Sequence, residues 1–240
     1  MIRTFIPIFS LAVFCTSLGA EEKVVRVFVA LCDNANQGIA KVNARIGDGD
    51  KPADNLYWGC SDGLSRYFQK SAKWKLLKSE KAVSESILER LTFQHRAFGE
   101  VTLVAEAYRG SEMKVCLADF FAAVADADTT DTKLVAFIGH NGLMDRPDTK
   151  TPEGIGKKDV VVLSCLSDSW FAGRLDHLGA NRILMTRSLM YPGAFILHDA
   201  LEGWLRDESK AKIRDRAARA YAGNQKISVK SGRSIFADLE

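Results

Sequence analysis

The chain has 240 residues, 47% of them hydrophobic and 26% charged, with a formal net charge of +3. That is enough apolar material for one α/β domain with a full core, and short for two. The near balance of charge, with no basic face interleaved with aromatics, argues against nucleic acid as a partner.

Residues 1–20 carry Arg3, an apolar stretch from Phe5 to Phe14, and the small residues Ser17, Gly19 and Ala20 ahead of Glu21 and Glu22. The pattern predicts a secretory signal cleaved near Glu21, too short to be a membrane span. A bulky Phe14 before Cys15 argues against lipid attachment. The expected product is a single exported domain, residues 21–240, periplasmic or secreted and not stably inserted in a membrane.

Residues 24–31 (VVRVFVAL) predict the first strand, and a loop rich in Asn, Gly and Asp runs from there to about Trp58. A loop of that length inside a compact domain usually has a function. A short helix is expected over 62–71 and a strand over 74–77. Over 86–95 the alternation suits a hairpin arm turning at 97–100, although a helix ending near Arg90 fits as well. Residues 101–107 form a strand, and Ser111 stands as the N-cap of a helix whose stripe is Met113, Cys116, Leu117, Phe120, Phe121 and Val124. Strands follow over 133–139, 159–165 and 182–186, and helices over 167–178 and 195–206. The basic run 210–219 reads as a solvated helix face. Strands alternating with helices give an α/β fold with a mostly parallel sheet and helices on both faces.

The candidate chemistry lies in two strings, Phe137-Ile138-Gly139-His140-Asn141-Gly142 and Val162-Leu163-Ser164-Cys165-Leu166-Ser167. Each ends an apolar, β-branched run of the kind buried on both faces of a parallel sheet. Chemistry in open α/β sheets collects beyond the carboxyl ends of the strands. His140 and Cys165 therefore face one crevice, and a cysteine with an imidazole beside it can attack a carbonyl at neutral pH.

The region from Glu100 to Gly142, with its helix stripe, its Asp-rich loop over 126–131 and its Gly139-His140-Asn141-Gly142 turn, resembles the caspase-like clan of cysteine peptidases. That clan includes caspases, metacaspases, legumains and gingipains. The apolar strand ending in Ser164-Cys165 continues the likeness, which covers about a third of the chain. The resemblance implies a three-layer, Rossmann-like sandwich around a mostly parallel six-stranded sheet. It also implies Cys165 as nucleophile, His140 as its partner and a backbone amide near Gly142 in the oxyanion hole. The substrate would be a peptide or protein, and no metal or organic cofactor would be needed. In the clan, charged pocket residues read the substrate side chain. Asp33 and Arg187, each just past a strand at the same sheet edge, are the candidates here, with a turn or loop ion pair as the alternative role. Asn141 stands where the clan has its glycine. A catalytically inactive caspase-like domain that binds a peptide or envelope protein is the rival reading.

The remaining motifs carry less. Gly139 to Leu143 has the outline of a nucleophile elbow, but Asn141 cannot attack. Asp48, Asp50 and Asp54 lack calcium-loop spacing, and His198 with Glu202 lacks a third zinc ligand. No glycine-rich turn follows the first strand to hold a dinucleotide. Of the four cysteines after residue 20, Cys116 lies in the helix stripe, which leaves Cys32–Cys60 as the possible bridge if Cys165 is free.

Overall fold

The structure, a computed structural model, describes residues 21–240, so the predicted export signal lies outside the described residues. Among the described residues the strands are β1 (Lys23–Ala30), β2 (Trp74–Lys81), β3 (Ile87–His95), β4 (Val101–Tyr108), β5 (Thr132–Ile138), β6 (Asp159–Leu163) and β7 (Asn181–Leu184). They form one seven-stranded sheet in the order β2-β3-β4-β1-β5-β6-β7. Strands β4, β1, β5, β6 and β7 run parallel, and β2 and β3 add an antiparallel edge. The sheet has seven strands where six are expected, because residues 87–95, open between strand and helix in the sequence, form a full strand. Charges along β2 (Lys75, Lys78, Glu80, Lys81) keep that open edge from recruiting another strand.

The helices are α1 (Leu64–Lys70), α2 (Met113–Ala125), α3 (Gly142–Asp145), α4 (Ser167–His177), α5 (Ala194–Trp204), α6 (Lys210–Gln225) and α7 (Val229–Arg233). Alternation along the central strands assigns them to two faces. Val25, Val27 and Val29 of β1, with Leu134, Ala136 and Ile138 of β5, pack against α1, α5 and α6. Phe28, Val135, Phe137, Val160 and Val162 pack against α2, α3 and α4. The result is a three-layer sandwich. On the second face Phe120 meets Phe28, Phe121, Phe137 and Phe171 with ring centroids 5.2–6.1 Å apart. Truncating any one of these fully buried rings to Ala would cost about 3–5 kcal/mol.

Two local expectations are corrected. Ser111 does not cap α2; it sits inside a 3-10 turn, Gly110–Glu112, that leads into the helix without a side-chain cap bond. Cys32 and Cys60 are not bridged, since all four described cysteines are free. The basic run does lie on a helix, α6. Its charges pair outward, Arg216 with Glu208 and Arg214 with Asp238, while Ile213, Ala217, Ala218 and Tyr221 face the core.

Past β7 the chain adds a short antiparallel bridge, Thr186 to Phe236. Ala237 N–H donates to the Met185 carbonyl and Arg187 N–H to the Ile235 carbonyl, so residues 235–237 cover the sheet beyond β7. No helix among the described residues is long and apolar enough to cross a membrane.

Candidate active site

Order along the sheet reverses at β1, which has β4 on one side and β5 on the other, and ligands in open α/β sheets bind outside the carboxyl ends near such a point. A cavity of about 450 Å³ opens there. It is lined by His140 and Cys165 together with Gly38 to Ala40, Tyr57, Gly139, Met144 and the segment 189–192.

Adjacency of His140 and Cys165 follows from register. Ile138 of β5 pairs with Leu163 of β6, and the Gly139 N–H still donates to the Leu163 carbonyl at 3.2 Å. Two residues further, beyond both strand ends, His140 and Cys165 line the same cavity. Gly139 lets the backbone leave the strand: its φ is +148°, and a Cβ there would lie 3.1 Å from the Ala30 carbonyl oxygen. Asn141 then joins the two strand ends. Its Oδ1 accepts from the Leu143 N–H at 3.2 Å, capping α3, and its Nδ2 donates to the Cys165 carbonyl at 2.6 Å.

His140 Nε2 lies 2.8 Å from Asp145 Oδ2. A carboxylate only accepts, so Nε2 carries the proton, and in the neutral ring the lone pair sits on Nδ1. The same Asp145 oxygen accepts the Gly38 N–H at 2.9 Å. Asp145 is the residue that sequence reading missed. It stands five positions after His140, and the single helical turn of α3 brings it back onto the ring.

Cys165 is half-buried. Its Sγ accepts the Met190 N–H at 3.3 Å and lies 3.5 Å from the Met190 carbonyl. Its own backbone N–H makes no hydrogen bond to another described residue. The next residue, Leu166, has φ +52°, a left-handed conformation that leucine rarely takes. That kink turns the chain straight from β6 into α4. Ser167 and Thr186 hold it: Ser167 Oγ donates to the Val162 carbonyl at 2.9 Å, and Thr186 N–H donates to Ser167 Oγ at 2.8 Å. The other thiols are suited to silence. Burial pushes Cys32 up to about 11, Cys116 well above the ordinary range, and Cys60 upward.

The other predicted site residues lie elsewhere. Gly142 does not face the cavity; it is buried under α2, and a Cβ there would sit 2.4 Å from Met113 Cγ. Asp33 is buried in a turn, its Oδ1 accepting the N–H groups of Ala35 at 2.8 Å and Asn36 at 3.1 Å. Arg187 is exposed and donates from Nε to the Ser234 carbonyl at 2.9 Å. Neither lines the cavity. Among the described residues no His, Cys, Asp and Glu cluster could hold a metal ion.

Comparison with family models, with curated proteins and with solved structures finds no match to this chain.

Proposed function

We propose that this chain is an exported caspase-like cysteine peptidase in which Cys165 attacks the scissile carbonyl. The observation that carries the reading is that Cys165 and an Asp145-bonded His140 line one cavity from the ends of adjacent parallel strands. The Cys165 sulfur would bond to the carbonyl carbon, and the unused Cys165 N–H would help hold the oxyanion. His140 Nδ1 would take the Cys165 thiol proton and deliver it to the amine nitrogen as the C–N bond breaks, and water would then hydrolyse the thioester, returning the proton to the thiol. Asp145 would orient the ring and favour the imidazolium that forms, as the third member of such arrangements does. Export is part of the reading and rests on the pattern of residues 1–20; N-terminal sequencing of the mature protein should begin near Glu21.

Alkylation tests the chemistry. Cys165 should react with iodoacetamide faster than the other three thiols and faster than in denatured protein. Cys165→Ala should abolish that reaction and any peptide hydrolysis, and His140→Ala should slow both at least ~100-fold. Cys116→Ala is the control: it should cost about 1–2 kcal/mol through a lost core contact and leave Cys165 labelling unchanged. A Cys165 that labels no faster in the native protein than in the denatured one would sink the peptidase reading. The two contacts of its sulfur with the Met190 backbone would then mark Cys165 as structural, leaving the rival, a domain that binds peptide at this cavity without cleaving it.

A further inference from the structure

The twelve residues around the cavity include no Asp, Glu, Lys or Arg. Ile39, Met144, Leu189 and Met190 give its walls large aliphatic and thioether side chains, beside Tyr57, Tyr191 and Pro192. Leu189 is 70% exposed and Met144 39%, so core packing does not account for these large apolar side chains. The two phenols in the lining add no charge either. Burial, first of all, pushes both Tyr57 and Tyr191 above the ordinary tyrosine range, which keeps them neutral. Of the charged residues near this sheet edge, Asp33 is held in a turn, Arg187 against Ser234, and Asp145 on the His140 ring and the Gly38 N–H. A charged side chain entering the cavity would therefore leave water and meet no opposite charge that is not already paired. An apolar one would cover the exposed walls and gain. At about 450 Å³ the space falls within the range of built small-molecule sites.

We infer that this cavity is the specificity pocket of the site and takes an uncharged apolar side chain, of the leucine, methionine or phenylalanine class, on the residue whose carbonyl meets Cys165. The inference rests on the peptidase reading and departs from the charged pockets that the clan resemblance implies. Leu189 and Ile39, on the loops at either side, are the residues that set the preference.

The test separates this inference from the reading it rests on. N-acetyl tripeptide amides ending in Leu, Phe, Asp or Lys are titrated by calorimetry into the whole protein carrying Cys165→Ala, and coumarin amides of the same peptides are offered to the wild type. Leu and Phe peptides should bind the variant at least ~10-fold more tightly than the Asp and Lys peptides. Leu189→Glu, a change at an exposed rim position, should narrow the Leu-over-Lys ratio about fivefold. Equal or tighter binding of a charged peptide, no binding of any of the four, or a ratio untouched by Leu189→Glu would overturn the inference. Apolar-selective binding with no hydrolysis of any coumarin amide would leave the inference standing and remove the peptidase reading instead.

Discussion

Asp145 serves two acceptor roles through one oxygen, one to the His140 ring and one to the Gly38 amide, and substitutions can separate them. Asp145→Asn keeps an acceptor in place but removes the charge that favours an imidazolium. On the proposed peptidase reading it should cut kcat about 10–100-fold with KM nearly unchanged. Asp145→Ala removes the acceptor as well, frees the Gly38 loop, and should raise KM too; steady-state kinetics on both variants checks the split. This residue was not legible in the sequence because nothing in its local pattern marks it. A lone aspartate five positions past a histidine acquires meaning only when α3 folds it back. For Asp33 and Arg187 the structure shows the alternative role, a contact within the turn or loop. Their position just past strand ends was read correctly, but side chains at that edge also have backbone to satisfy. Asp33 is consumed by the N–H groups of its own turn, and Arg187 by the carbonyl of Ser234. The placement of His140 and Cys165 at one cavity was legible because a polar residue closing an apolar parallel strand has few places to point.

At the level of elements, the β6-to-α4 turn depends on Leu166 in a left-handed conformation. A β-branched side chain fits that region worst and glycine without strain. Leu166→Val should therefore destabilise the protein by about 1–2 kcal/mol more than Leu166→Gly. Urea unfolding of the two variants gives the comparison, and equal midpoints would mean that the turn stores no strain. A second junction joins the β3–β4 hairpin to α5. His95 Nε2 lies 3.1 Å from Glu202 Oε1, and the Ala97 and Phe98 N–H groups donate to His95 Nδ1. Burial alone would raise the Glu202 carboxyl, but bonds from Lys73, Arg206 and His95 outweigh it and bring it to about 2. A carboxyl lowered in the folded state contributes stability above its unfolded value, and that contribution disappears as pH falls through the folded one. Through this group the wild type should thus lose stability between roughly pH 4.5 and pH 2. Glu202→Gln should lack that component of the acid loss, read from urea midpoints across the range. None of this network is visible in the sequence, because its partners come from three elements far apart in the chain. The hairpin itself was only half legible: a half-buried alternation near a sheet edge suits a strand, yet the same residues also suit a frayed helix.

Across the whole molecule, the sheet was the most legible feature, since strands buried on both faces must be apolar throughout and such runs stand out. The closure beyond β7 was not. Phe236 lies after two polar helices with no flanking pattern, and it is fully buried only because Thr186 and Met185 offer it a bridge. Phe236→Ala should cost about 3–5 kcal/mol, measurable by urea unfolding. It should also speed hydrogen exchange at the Arg187 and Ala237 amides while sparing those of β1 and β5. The division between these regions has a further consequence. His140 and Cys165 stand on strand ends tied together by Asn141, whereas Leu189, 70% exposed, stands on a loop and adds little to the core. Heritable variation at the rim can therefore reshape what enters the cavity without unfolding the frame behind it. Descendants of one such chain can diverge in what they accept while keeping the same melting temperature and the same pair of strand-end residues.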